Sequence, residues 1–367
     1  MLKTSFRALL AYSVYGLCMA PHAWADHEHG SNVFEVFYAA EAMAGSGQSH
    51  ADKDDDTYVN ADILFAAAVH QFRVLGEIFV SPEEHDVERM QFGYEFAPDT
   101  VLWVGRFHMP ASAWNSEHHH GRYLQTSITR PFIERWEDEH GLIPQHIAGA
   151  LLETRQGIGS GSALQLATGV GASSSWGDHQ YEPVNLIGEN PGRHRFSVSG
   201  RLAYLPEYEG TSSAGFLFAH DQLYSTNAQL FTALNSAHVV LTVSGAYLDW
   251  NFNQWHLMGA GYYVDVKLDQ TARDESFISG YLQGERALAH NLTAFGRIED
   301  SARMQDSRYV ALFDDHDGDV DVALRRQALG LRWDFVRRQA LTIELSHVST
   351  LGYRSNEARL QWSGVIP

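Results

Sequence analysis

The sequence predicts an all-β protein: a transmembrane antiparallel β-barrel of about sixteen strands, with a long third loop. Three observations carry that expectation. Apolar and polar residues alternate with a period of two through stretch after stretch. Most of these stretches run 9 to 14 residues, and about 9–11 residues cross a bilayer at a tilt. The connections are alternately long and short along the chain, as in a meander whose two rims face different compartments.

The N-terminus stands apart. Lys3 and Arg7 form a short basic region, Ala8 to Ala20 is largely apolar, and Ala23-Trp24-Ala25 is a small-x-small cleavage pattern. This reads as a secretory signal peptide over 1–25, with 26–367 as the barrel and the bacterial outer membrane as its destination. The apolar run falls short of the roughly 20 residues that a spanning helix needs. Leu17 precedes Cys18, where lipid attachment wants a small residue. Cleavage removes the one cysteine of the 367-residue chain, leaving no disulfide or thiol chemistry. Lys3 and Arg7 leave with it, so the net charge of −19 becomes −21. A chain this acidic does not favour nucleic acid or an anionic lipid surface.

The candidate strands, in order, are 32–43, 57–68, 70–80, 86–96, 100–108, 147–156, 162–171, 194–205, 212–219, 237–249, 253–266, 276–287, 291–302, 322–335, 339–348 and 356–364. In 195–205, Phe196, Val198, Gly200, Leu202 and Tyr204 share one face, and Arg195, Ser197, Ser199 and Arg201 the other. In 325–335, Leu329, Leu331, Trp333 and Phe335 oppose Arg326, Arg332 and Asp334. In 340–348, Leu341, Ile343 and Leu345 oppose Thr342, Glu344 and Ser346. The gaps at 44–56, 81–85, 109–146, 172–193, 220–236, 267–275, 303–321 and 349–355 are mostly long and polar. Those between them are short, as at His70 or Pro98-Asp99. Apolar faces then turn to lipid and polar ones line the lumen. Trp103, Tyr204, Tyr247, Trp250, Tyr262, Tyr263, Trp333 and Trp362 lie near strand ends and suit interface girdles.

The third long loop, 109–146, is too long for a surface turn. The stretch 105–146 around it holds six of the twenty histidines. Pro131 and Gly141 suit the start and end of a short helix over 131–140. There Glu134, Glu137, Asp138 and Glu139 would offer an acidic face to the lumen, with Arg130 pairing Glu134 and Arg135 pairing Glu139. Arginines occupy inward positions on the wall: Arg73, Arg106, Arg195, Arg201, Arg297, Arg326, Arg332 and Arg359. Loop acids facing wall arginines would set a field across a narrow pore. The alternative is that these charges only keep the lumen wet.

Sixteen strands, a mature length near 340 residues and an oversized third loop resemble the Gram-negative porins. More locally, GRFHMP (105–110) followed by RPFIER (130–135) is similar to the phosphate-selective porin-like group. The resemblance implies a channel passing small hydrophilic solutes or ions, narrowed by loop 109–146 folded inward, and often trimeric. The chain departs from the group in its acidity and in ending on WSGVIP, where Trp362 stands in for a terminal aromatic residue.

Two further chemistries compete. Adjacent His118, His119 and His120 point in different directions and do not easily share one ion, but His118 and His120 could combine with His140 or His146 if the loop folds back. That would make a metal-binding barrel serving uptake of a divalent, zinc-type cation; the plain reading is a polar, pH-sensitive loop with no cofactor. The acidic runs 50–56 and 314–321 lack the EF-hand pattern and suit cation bridges to lipopolysaccharide. A barrel enzyme would need a nucleophile with a positioned base. Ser346 beside His347 and Ser112 near His108 are the available pairs, and neither belongs to a known catalytic pattern.

N-terminal sequencing of the protein from outer membranes is expected to begin at Asp26. An intact Met1 or recovery from the cytosol would contradict export.

Overall fold

The computed structural model describes residues 32–47, 57–82, 85–118, 121–137, 140–176, 180–188, 190, 193–224, 238–268, 274–313 and 322–367. The signal segment 1–25, His119, His120, Asp138, Glu139 and the acidic runs 50–56 and 314–321 lie outside the described residues.

All sixteen expected strands form. They are β1 (Val33–Gly47), β2 (Thr57–Val69), β3 (Phe72–Val80), β4 (His85–Ala97), β5 (Thr100–His108), β6 (His146–Ile158) and β7 (Ser162–Ala172). After a small hairpin, β8 (Ser175–Trp176) and β9 (Tyr181–Glu182), come β10 (Phe196–Leu205), β11 (Ser213–Tyr224), β12 (His238–Phe252) and β13 (Trp255–Leu268). The last five are β14 (Glu275–Ala289), β15 (Leu292–Ala302), β16 (Ala323–Val336), β17 (Gln339–Thr350) and β18 (Arg354–Ile366). Each barrel strand pairs antiparallel with its neighbour, and β18 closes on β1 from Val36↔Ile366 to Gly47↔Ser355. Closure leaves no unpaired strand edge. The hairpin β8–β9 lies in the gap 172–193, which sequence periodicity showed only as loop.

Alternation sorts the two faces as expected over most of the wall, while β11–β13 also turn apolar residues inward, among them Leu217, Leu241, Val243, Val264 and Val266. On β16, Leu329, Leu331 and Trp333 are exposed outside, while Arg326 and Arg332 are buried inside. On β10, Phe196, Leu202 and Tyr204 face out, and Ser197, Ser199 and Arg201 face in. The exterior is therefore an apolar band far larger than a soluble protein leaves bare. Among the described residues no helix is long and apolar enough to cross a membrane, which says nothing about crossing by strands.

The aromatic expectation needs correcting. Tyr204, Tyr263, Trp333 and Trp362 are exposed on the outer face, but Trp103, Tyr247 and Tyr262 are buried inside. Their polar tips explain the choice: Trp103 Nε1 donates to Glu153 Oε2 at 2.9 Å, and the Tyr262 hydroxyl donates to Glu134. Tyr262 and Tyr263 are adjacent, so one must face in when the other faces out.

Tight turns mark the short rim. His70, Asp99, Asn253 and Arg338 each take positive φ, from 52° to 64°, in the reversals after β2, β4, β12 and β16. The long rim carries the large loops, and three of them meet there. The Tyr181 and Tyr309 hydroxyls contact each other and donate to the Leu142 carbonyl at 3.2 and 2.7 Å. Trp176, Tyr181 and Phe313 pack edge to face beside them.

Gly105, the glycine of GRFHMP, has φ of 141°, and a Cβ there would lie 1.9 Å from the Met90 carbonyl oxygen. Gly105→Ala is expected to break the β4–β5 pairing locally and destabilise by about 1–3 kcal/mol or more. A lowered midpoint in the heat-modifiable gel shift of the folded barrel would show it.

Candidate functional site

The third loop leaves the wall between β5 and β6 and is held on the far side of the ring. Counting round the barrel, β15 is eight strands from β5, and β16 is eight from β6, half of sixteen. The loop therefore crosses the bore.

The wall holds it with charged groups. On β17, Glu344 accepts the backbone N–H groups of Ile128 and Thr129 at 2.8 and 3.2 Å, and the Thr129 hydroxyl. On β15, Glu299 accepts the Phe132 N–H at 2.7 Å. Arg297 donates to the Thr129 carbonyl at 2.6 Å and to Ser127 Oγ at 3.0 Å. On β16, Arg332 donates to the carbonyls of Tyr123 and Gln125, both at 2.6 Å, and Arg326 to the Arg130 carbonyl at 3.4 Å. On β14, Glu285 accepts from Thr126 Oγ1 at 2.9 Å. Bonds to an ionised partner are about twice as strong as neutral ones, which suits a segment without a strand ladder of its own.

This geometry differs from the expected facing of loop acids and wall arginines. Arg297, Arg326 and Arg332 sit on inward positions, but they pin loop carbonyls and pair with wall acids. Arg297 Nε lies 2.9 Å from Glu299, Arg326 3.7 Å from Glu299 and Arg332 2.9 Å from Asp334. Arg106 pairs with Asp86 at 2.8 Å, beside the loop's foot. Arg201 is buried within 5.9 Å of the Tyr247 ring. Arg195 precedes β10, is exposed and stacks on Tyr224.

The loop acids are internal fasteners too. Over the described residues 131–137 the expected helix does not form; a single 3-10 turn covers Phe132–Glu134, and Arg135 is extended again. Glu134, 1 % exposed, takes the Ser112, Tyr262 and Tyr281 hydroxyls and the Trp114 N–H. Burial pushes its carboxyl above the ordinary range, against the pull of those donors and of Arg130. Glu137 turns the other way, accepting the Gln145 and His146 N–H groups at 2.6 and 2.9 Å and Ser174 Oγ at 2.9 Å. Burial alone would raise its carboxyl, but the His146 ring and these donors outweigh it and hold it low. Two carboxylates drawn to opposite sides cannot share a helical face, so tertiary bonds override local propensity.

The helix that does form is α1 (Ala113–His118). Ser112 begins it: its Oγ accepts the Asn115 N–H at 3.3 Å. Serine at that position is an N-cap signal that a closer reading would have used. His118 ends α1 against the Trp114 ring at 4.6 Å. Burial pushes its imidazole down to about 4, although Asp249 and Glu285 pull it upward.

Of the expected metal ligands, neither His118 nor His140 joins His146. Instead Glu88, His108 and His146 come together, with ligating atoms within 4.8 Å of one another. The candidate catalytic pairs separate. Ser346 is buried on the inner face of β17 while His347 is exposed on the outer one. Ser112 is committed to Glu134.

No family model and no curated protein matches the sequence. Solved structures match in fold. The anion-selective porin of Comamonas acidovorans superposes with a TM-score of 0.58 at 12 % identity, over 92 % of this chain and 100 % of that one. OmpF of Salmonella typhi, in complex with daunomycin, gives 0.57 at 13 % identity over 91 % and 97 %. The trimer form of OmpT, an outer membrane protein of Vibrio cholerae, gives 0.53 at 8 % over 92 % and 100 %. At these identities the likeness is one of fold.

Arg297→Ala removes a buried cation that holds both Glu299 and the loop backbone. Breaking one partner out of such a pair costs about 3–5 kcal/mol. Hydrogen exchange is expected to speed up over 123–134 while the strand ladders stay protected. Unchanged exchange there would show that the loop does not depend on this arginine.

Proposed function

We propose that the chain is an outer-membrane channel, a porin-type barrel that passes small hydrophilic solutes or ions through a water-filled bore narrowed by loop 109–146. One observation carries the reading: a closed wall of sixteen antiparallel strands, apolar outward, whose inner face carries the buried charges beside an apolar patch on β11–β13. In lipid every backbone N–H and C=O must be paired, and a closed barrel achieves this. Sixteen strands leave room for an aqueous channel. A charged interior on an apolar exterior would be costly unless water reached the one and lipid the other.

Export by the signal peptide, assembly as a homotrimer and cation bridges from outer loops to lipopolysaccharide belong to this proposal. The trimer form of the Vibrio OmpT fold supports the second. The motif likeness to the phosphate-selective group concerns how the loop begins and turns, through Gly105, Arg106, Phe132, Glu134 and Arg135. It carries no claim on phosphate.

For the pore, Arg106, Arg195, Arg201, Arg297, Arg326 and Arg332 with Glu134 and Glu137 set its shape; Asp138 and Glu139 lie outside the described residues. Glu134 and Glu137 act by holding the loop rather than by facing the solute. Selectivity then falls to the acidic excess of the whole chain. Its outer charges act within a Debye length of about 8 Å at physiological salt, so a modest cation preference that fades as salt rises follows.

Planar-bilayer recording of purified protein tests both parts. Discrete conductance steps and a cation-preferring reversal potential are expected, and Glu134→Gln should leave that potential unchanged. Absence of steps would overturn the channel. Anion preference would overturn the charge argument.

A further inference from the structure

We propose that Glu88, His108 and His146 form a binding site for one divalent transition cation of the zinc class, which fastens the foot of the third loop to the wall. The proposal does not rest on conduction. It names a site different from the histidine triplet, and a structural ion rather than a transported one.

Three adjacent strands deliver the ligands. His108 is the last residue of β5 and His146 the first of β6, and they are direct cross-strand partners. Glu88 comes from β4 through an irregularity. The β3–β4 register runs Glu77↔Arg89 and then Ile78↔Val87, so Glu88 is an extra residue without an opposite number. Such a bulge re-aims a side chain. Here it buries Glu88 on the inner side although its neighbour Arg89 already points there, paired with Glu77 at 2.6 Å.

The donors are hard and borderline ligands of the right kind, two imidazoles and a carboxylate. All three side chains are buried, at 3 % to 8 % exposure. His146 Nε2 lies 3.1 Å from Glu88 Oε2. On the other side of that ring, Nδ1 is 2.6 Å from Glu137 Oε2. A carboxylate behind a histidine fixes the tautomer that donates from Nδ1 and turns the Nε2 lone pair toward the ion. Trp136 stacks on the His146 ring at 5.3 Å and lies 4.7 Å from the His108 ring, holding both in place.

Charge and distance are compatible with an ion. Glu88, Glu137 and Asp86 gather about Arg106 and the His146 ring, three carboxylates to one guanidinium. Arg106 stands 3.6 Å from Glu88 but 2.8 Å from Asp86, so it has a nearer partner when Glu88 turns to a cation. Bonds of about 2.0–2.1 Å in a tetrahedral site bring ligand atoms to about 3.4 Å apart. The three side chains would need to close in by roughly 1 Å. A fourth position would fall to water.

Cobalt(II) and zinc(II) are the probes, added to the full folded chain in detergent. The expected result is one equivalent of cobalt giving a visible ligand-field band, displaced by zinc. The band should vanish in His108→Ala and His146→Ala, and in the near-isosteric Glu88→Gln if either histidine variant fails to show the folded gel mobility. Glu137→Gln should weaken binding about 10–100-fold, as loss of a supporting carboxylate does. His118→Ala with His120→Ala should leave the band unchanged. No saturable band, or one that survives in folded Glu88→Gln and His108→Ala, would overturn the site. The same holds for a band abolished only by the His118 and His120 changes.

Discussion

A sheet edge in lipid has nowhere to place its N–H and C=O groups, and in the proposed membrane setting that constraint organises this molecule. It forces β18 onto β1 and makes the wall continuous. A continuous wall has only two faces, so every second residue is committed to the outside. Charged residues must then turn inward, where they need partners. The density of ion pairs on the inner face, such as Arg89 with Glu77 and Arg359 with Glu41, follows from closure as much as from function.

The third loop meets those partners with its backbone. Its chain between Tyr123 and Phe132 forms no strand, so its peptide groups need acceptors and donors from elsewhere. Glu344 and Glu299 supply acceptors; Arg297 and Arg332 supply donors. Ionised groups on a rigid wall can hold an irregular segment in one place without requiring it to adopt a regular shape. The loop's own acids turn inward to Ser112, Tyr262, Gln145 and Ser174, so its position is set on both sides.

The wall was legible in the sequence because its signal is local. Leu329 and Leu331 alternate with Arg326 and Arg332 within one strand, and no distant residue is needed to see it. Loop-length parity was legible for the same reason. The loop was not. Glu134 finds Tyr262 and Ile128 finds Glu344 across separations of 128 and 216 residues, which no window reveals. Pro131 and Gly141 are honest helix signals that lost to these bonds. The inward turn of Trp103 and Tyr262 was hidden because aromatic residues suit either face. The bulge at Glu88 was hidden because an extra residue in one strand shows only against its partner. Among the described residues, His146 is the expected metal ligand that the fold brings beside other metal-ligating side chains, Glu88 and His108.

The anchors of the loop bear on the order of assembly. Residues 121–134 emerge early in synthesis, yet their fasteners lie on β14 to β17, more than 150 residues later. Contacts of such high contact order form late, because their loop-closure entropy must be met first. The crossing segment therefore docks only after the final quarter of the wall is in place, and docking becomes a checkpoint on a nearly complete cylinder. A chain stalled before β14 would lack every one of these fasteners and keep its third loop undocked, exposing Trp114, which packs on Tyr281 of β14, to whatever monitors unfinished barrels.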